Sequence, residues 1–338
     1  MLEKARSVIG SLARERRDYR LHVFDVQVAG KGGRLRFNGK VLEESDLRAL
    51  QDSLARALRG VQADFAQVEV LRRTGNPHLA VSTNLTSLYR EPSFLAEQLT
   101  QLVNGGKVEV LIEGGRWCFV RQTDGYLGWT YRPYLIDGPL REASHLLVAP
   151  VAEMLSSPEA GGKVLTRVLG GTALYIIGQR GDWGEVELAG GLRGWLPTSL
   201  LRACNQLPTA SEQRRAQMMQ DAPAMIGTPY LWGGNSAHGI DCSGFAQLLH
   251  HWVGVTLPRD ADMQCNASLQ VEPPFRPGDL LFFGDKGEQA KATHVGVSIG
   301  GWKIIHSSRA RNGVYLDDVQ SVEHLQEGFL KAGTFLEN

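Results

Sequence analysis

Apolar and polar positions divide the chain into stretches with different periods. Residues 7–17 have helical spacing. Residues 21–29 alternate apolar and polar, with Leu21, Val23, Val26 and Val28 on one side and a slip near Phe24, as in a half-buried strand. Lys31-Gly32-Gly33 is a turn signal, and 34–40 reads as the return strand. In 45–58, Leu47, Leu50, Leu54 and Leu58 share one helical face behind Ser45, an expected N-cap. A third strand is expected over 65–71. The order αββαβ makes residues 1–73 a small α/β module that resembles BON-like modules.

The next two segments repeat each other. Residues 108–135 hold Trp117 and then Asp124-Gly125-Tyr126-Leu127-Gly128-Trp129. Residues 172–201 hold Trp183 and then Ala189-Gly190-Gly191-Leu192-Arg193-Gly194-Trp195. Each second tryptophan follows a glycine, and each segment comes after a stretch that reads as a long loop, 89–106 and 153–171. The repeat implies two short β modules in tandem, with the tryptophans in barrel cores.

After a linker at 208–211, residues 212–225 read as a helix and 226–239 are rich in Gly, Pro and aromatics. A buried helix is expected over 242–253. Strands joined by glycine turns are expected over 280–284, 295–299, 302–305 and 313–316. That is an α+β domain.

Composition narrows the function. A chain of 338 residues with 43% hydrophobic content can bury more than one core. Its formal net charge of zero argues against a nucleic-acid binder, and acids interrupt the basic run from Arg14 to Arg20. The four cysteines, Cys118, Cys204, Cys242 and Cys265, form neither a CxxC knuckle nor a disulfide scaffold. Residues 1–20 lack the apolar run of a secretory signal, and no stretch of about eighteen apolar residues could span a membrane. The expectation is a cytoplasmic protein without a membrane span.

The chemistry centres on Asp241-Cys242-Ser243-Gly244, a turn opening a helix. Free N–H groups and the helix dipole at such a position lower a thiol's pKa and can hold an oxyanion. A thiolate needs a base, and the base needs an orienter. Thr293-His294-Val295-Gly296-Val297 places His294 on a strand, and the next strand ends at His306. A hairpin around Gly300-Gly301 would set the two rings side by side, giving Cys242, His294 and His306 as nucleophile, base and orienter. A lone cysteine is usually a buried hydrophobe; the conjunction of the three motifs in one domain is what points to catalysis. Nothing shows zinc-ligand spacing, so no metal and no cofactor is expected.

Thr228-Pro229-Tyr230-Leu231-Trp232-Gly233-Gly234, Asp241-Cys242-Ser243-Gly244, Leu257-Pro258-Arg259-Asp260, Pro277-Gly278-Asp279-Leu280, His294-Val295-Gly296 and His306 together resemble NlpC/P60 peptidases. The tandem repeats resemble bacterial SH3 (SH3b) domains. The resemblance implies an α+β multidomain chain: the BON-like module at 1–73, SH3b domains at 78–138 and 145–204, and a papain-like NlpC/P60 domain at 210–338. It implies hydrolysis of wall stem peptides between γ-D-glutamate and a diamino acid. Tyr230 would help hold the oxyanion or the thiol, and Asp241 and Ser243 would line the cleft. The two-SH3b arrangement resembles γ-D-glutamyl-L-diamino acid endopeptidases, in which an acid and a tyrosine of the first SH3b domain and a cleft acid grip a free L-alanine amine. Glu91, Tyr126 and Asp260 match those positions. Where that subgroup carries serine after the cleft acid, this chain has Ala261, which implies that one hydrogen bond to the substrate carboxylate is missing or replaced. The expected partner is therefore L-Ala-γ-D-Glu-diamino acid from wall-fragment recycling. The alternatives are an exported murein hydrolase anchored by its SH3b domains, a non-catalytic wall-binding protein, and an acyltransferase or amidase of similar fold.

Overall fold

A computed structural model describes residues 1–31, 33–138, 141–287 and 290–337. It divides into two compact units, Met1–His78 with Val108–Trp129, and Leu79–Lys107 with Thr130–Asn338.

The first unit begins with helix α1 (Leu2–Glu15), strands β1 (Phe24–Lys31) and β2 (Arg34–Val41), helix α2 (Glu44–Ala57) and strand β3 (Gln62–Val70). This is the expected αββαβ order. β1 and β2 are antiparallel, whereas β3 runs parallel to β2 across the α2 crossover. Gly32, in the turn expected between β1 and β2, lies outside the described residues. The N-cap of α2 is Glu43 rather than Ser45: the Asp46 carboxylate reaches back to accept the Glu43 backbone N–H at 3.1 Å. Leu35, Phe37, Leu50 and Leu54 form the core with Ala5 and Leu12 of α1.

Seven strands follow: β4 (His78–Val81), β5 (Leu85–Tyr89), β6 (Gln98–Val103), β7 (Lys107–Gly114), β8 (Trp117–Gln122), β9 (Leu127–Tyr131) and β10 (Leu135–Ile136). A second seven repeats their order: β11 (His145–Leu147), β12 (Val151–Leu155), β13 (Val164–Leu169), β14 (Ala173–Arg180), β15 (Trp183–Glu187), β16 (Arg193–Pro197) and β17 (Leu201–Ala203). A single 3-10 turn precedes the last strand of each set, Arg132–Tyr134 and Thr198–Leu200. The stretches read as long loops hold strands β6, β12 and β13. β7, β8 and the start of β9 belong to the first unit, where Leu111 and Leu127 pack with Leu42 and Leu71. β11 to β17 lie wholly in the second unit, in the sheet order β13-β12-β16-β15-β14-β11-β17.

The four tryptophans are half-buried and do not fill the cores. The core of the second set is Leu147, Ala152, Met154, Val168, Leu174, Val186, Leu188 and Leu196. Period-2 alternation explains the difference. In β16, Gly194 and Leu196 turn inward, so Trp195 between them turns out. Gly194 is the tightly held residue of that motif, because a Cβ there would meet Met154 Cγ at 2.7 Å.

The C-terminal part holds helix α3 (Ser211–Asp221), the short pair β18 (Asn235–Ser236) and β19 (Gly239–Ile240), helices α4 (Cys242–His251) and α5 (Ala261–Ala267), and strand β20 (Leu269–Val271). Then come β21 (Leu280–Asp285), β22 (Lys291–Gly300), β23 (Lys303–Ser308), β24 (Gly313–Asp318), helix α6 (Glu323–Gly328) and β25 (Phe329–Thr334). The sheet order is β20-β25-β21-β22-β23-β24. Alternation along β21 splits the core between two faces. Leu280 and Phe282 pack with Phe245, Leu249 and Trp252 beneath α4, while Leu281 and Phe283 pack with Phe275 and Leu325 on the other side. The helix carrying Cys242 is thereby pressed against the strands carrying the two histidines.

Candidate active site

Asp241 is the N-cap of α4, accepting the Gly244 N–H at 2.7 Å, and Cys242 is the first helical residue. Gly244 must be small, since a Cβ there would lie 2.3 Å from the Gly234 carbonyl oxygen. Cys242 packs in one core with Val295 of β22, the neighbour of His294, and the backbone N–H groups of Val295 and Ser243 pull its thiol pKa down. The β22–β23 hairpin brings His294 Nε2 within 2.7 Å of His306 Nδ1. His306 is 1% exposed, while His294 keeps a partly open edge.

The next strand adds a residue that sequence reasoning missed. Tyr315 of β24 faces His306 in register, and Asp317, two places on, shares its face of the sheet. Asp317 Oδ2 sits 2.9 Å from His306 Nε2, and its Oδ1 accepts from Arg311 Nη1 at 2.6 Å. The Arg311 guanidinium lies 4.3 Å from the centre of the Tyr315 ring. The expected strand stops at Leu316, one residue short of Asp317, whereas β24 runs to Asp318.

Arg259 is the second missed residue. It is 1% exposed and pairs with Asp241 through both nitrogens, Nη2–Oδ2 at 2.7 Å and Nη1–Oδ1 at 3.1 Å. Its remaining donors reach Ser243 Oγ (3.0 Å), Thr100 Oγ1 (2.7 Å) and the Gly234 carbonyl (3.2 Å). Asp241 also accepts the Gly233 N–H at 2.9 Å. Asp241 and Ser243, expected to line the cleft, are buried and spend their polar atoms on Arg259 and the α4 N-terminus. Neighbouring β6 residues fasten the same loop. Gln98 donates to the Trp232 carbonyl at 3.0 Å, and Gln101 accepts the Asn235 N–H at 3.0 Å and the Ser236 hydroxyl at 3.2 Å.

The electrostatics differ from the sequence expectation. Burial, with the Asp241 carboxylate adding to it, pushes the Cys242 thiol up to about 12, against the pull of Arg259 and two N–H donors. Burial, with His306 and then His324 adding to it, pushes His294 down to about 3. Burial also lowers His306, outweighing Asp317. The free protein therefore rests as a neutral thiol beside neutral imidazoles, and the helix N-terminus does not by itself make a thiolate. Tyr230 is held as a neutral phenol, its pKa raised by burial first and by Cys242 next. Such a site can move the thiol proton to an imidazole as the sulfur attacks a carbonyl, with N–H donors at hand for the oxyanion.

The remaining expected binding residues differ in exposure. Glu91 is exposed on the turn after β5, and Asp260 is half-exposed as the N-cap of α5. Ala261, the first residue of α5, is buried. Tyr126 belongs to the other unit, where it is 2% exposed. Among the described residues, no group of three or more His, Cys, Asp or Glu could hold a metal ion, and no helix is long and apolar enough to cross a membrane.

Comparison with known proteins now bears on this geometry. Residues 227–333 match the family model described as NlpC/P60 family, and 88–130 match the bacterial dipeptidyl-peptidase Sh3 domain. The C-terminal part is an NlpC/P60 cysteine-peptidase domain. The match spans Tyr230, the α4 turn, the β22–β23 hairpin and Asp317. Over 246 residues, 68% of this chain and 72% of the relative, the sequence is 28% identical to a gamma-D-glutamyl-L-lysine dipeptidyl-peptidase of Bacillus cereus. It is 28% identical to dipeptidyl-peptidase 6 of Lysinibacillus sphaericus, covering 70% of this chain and 89% of that one. A crystal structure of an NlpC/P60 family protein from Bacillus cereus shares the fold with a TM-score of 0.68 at 23% identity, covering 77% of this chain and 100% of that one. The chain thus carries an SH3 domain ahead of an NlpC/P60 cysteine-peptidase domain.

Proposed function

We propose that the chain hydrolyses the bond between γ-D-glutamate and the diamino acid of wall stem peptides that begin with a free L-alanine, releasing L-Ala-D-Glu. The observation that carries this is the meeting of α4 and β22: Cys242, the first residue of the helix, packs in one core with Val295, the neighbour of His294, whose Nε2 lies 2.7 Å from His306 Nδ1. Cys242 attacks the γ-carbonyl as His294 takes its proton. The tetrahedral oxyanion is held by N–H donors at the start of α4 and by the neutral Tyr230 hydroxyl. His294 passes the proton to the leaving amine, and water then hydrolyses the thioester with His294 as base. The names of the relatives support lysine or a similar diamino acid at the third position. We take β11 to β17 as a second SH3b domain, residues 1–73 as a BON-like module, and recycling of small wall fragments as the role.

The grip on the substrate amine is assigned to Glu91 and Asp260. A buried ammonium without partners costs several kcal/mol, about 3–5 when one member of a pair is removed. N-acetylation of the tripeptide should therefore lower kcat/KM by about 10²-fold or more, read by timed mass spectrometry. Equal cleavage of free and acetylated peptide, or faster release from purified sacculi, would defeat the amine grip and favour a hydrolase of intact wall.

A further inference from the structure

The pair His294–His306 does not determine its own tautomers, because either ring could donate across their 2.7 Å contact. Asp317 breaks the symmetry. As a carboxylate with Arg311 on its other oxygen, it can only accept. His306 must then carry its proton on Nε2, which leaves Nδ1 as an acceptor. His294 must donate from Nε2 to that acceptor, and its own Nδ1 is left with the free lone pair. We propose that Asp317, held by Arg311, is a positioning residue that sets the tautomers of both histidines through the line Arg311–Asp317–His306–His294, so that His294 Nδ1 is the nitrogen that takes the Cys242 proton. This rests on the assignment of Cys242 and His294 above, and extends it from residues to atoms.

The proton count closes. In the resting site the thiol holds one proton on sulfur, and each histidine holds one, on Nε2. As the S–C bond forms, the S–H proton moves to His294 Nδ1 and gives an imidazolium whose Nε2–H still donates to His306. The leaving nitrogen takes the Nδ1 proton as the C–N bond breaks, which restores the starting tautomers. Asp317 itself never takes a proton. A His306 ring with its proton on Nδ1 would force His294 to accept at Nε2, placing a proton on Nδ1 and leaving Cys242 without a base.

Asp317→Asn keeps the shape but offers an NH2 that can donate to His306 Nε2. Wrong-tautomer substitutions at comparable carboxylates cost up to about 10⁴-fold in kcat with geometry intact. A fall of about 10²-fold or more is expected here, with KM within about threefold, and Asp317→Glu, which still accepts, should recover part of it. The decisive readout is ¹⁵N NMR of histidine-labelled full-length protein, with His294→Gln and His306→Gln variants assigning the signals. The parent should show Nε2–H and bare Nδ1 on both rings. Asp317→Asn should shift them towards Nδ1–H and slow iodoacetamide alkylation of Cys242 in step. The relay is wrong if the parent His294 carries its proton on Nδ1, if the tautomers are the same in Asp317→Asn, or if kcat falls less than about threefold. Tautomers and alkylation require no substrate. A parent that cuts no stem peptide but shows the shift would sink the substrate reading and leave the relay standing.

Discussion

Replacing His294 with alanine is expected to lower kcat by about 10⁴-fold while leaving the melting temperature within a few degrees. General acid–base catalysis contributes about 10²–10⁴-fold on its own. The loss lies at the upper end because the Cys242 thiol, pushed up to about 12, has no other route to a thiolate at neutral pH. The same environment gives the pH profile its sign. Burial holds His294 down to about 3, so it stays unprotonated, and competent as a base, on the alkaline side of that value. Loss of kcat/KM caused by protonating this base therefore belongs well below the usual histidine value of about 6.5. Steady-state kinetics between pH 4 and 8 on a substrate without titrating groups in that range check both points. A retained kcat in the variant, or an acid limb near 6.5 that His306→Gln leaves in place, would contradict the neutral thiol–imidazole pair.

The second large effect is at Arg259. Arg259→Leu removes the cation from a buried pair and leaves the Asp241 carboxylate, among the described residues, with the Gly233 and Gly244 N–H groups and the Ser243 hydroxyl. Breaking a buried pair costs about 3–5 kcal/mol, more than replacing both members. The double variant Arg259→Leu with Asp241→Asn should therefore be more stable than Arg259→Leu alone, a comparison that urea unfolding makes directly. Activity should fall with the single change, because Asp241 caps the turn that presents Cys242. A destabilisation below about 1 kcal/mol would mean that the carboxylate finds water or another partner.

These two residues mark the boundary of what the sequence discloses. Cys242, His294 and His306 were legible because a helix-opening turn and two glycine-joined strands put known residue types at predictable places. Arg259 was visible only as a letter in Leu257-Pro258-Arg259-Asp260. A charged side chain reads as solvated until the fold shows it enclosed by α4, the Gly233–Gly234 turn and Thr100 of a strand over a hundred residues away. Asp317 was missed because β24 was expected to end at Leu316, so the alternation that puts it on the His306 side was not followed to its end. The tryptophan repeat was read correctly as a repeat and incorrectly as core. The inward residues are the glycine and leucine beside Trp195, and burial on a strand is decided by alternation rather than by size. β6, β12 and β13 were hidden in stretches with turn-forming residues, and β25 forms by pairing with β20 and β21 far back in the chain. The helix N-terminus alone predicts a lowered thiol pKa. Desolvation, which only the packed structure reveals, is the larger effect.

The most direct test is to incubate the protein and its Cys242→Ala variant with free L-Ala-γ-D-Glu-L-Lys and with the meso-diaminopimelate equivalent, identifying products by mass spectrometry. Release of L-Ala-D-Glu by the parent from at least one peptide, and none from the folded variant, is the predicted result. Release of that dipeptide by the variant, or cleavage by the parent at any other bond, would contradict the assignment of Cys242 as the nucleophile of a γ-D-glutamyl peptidase.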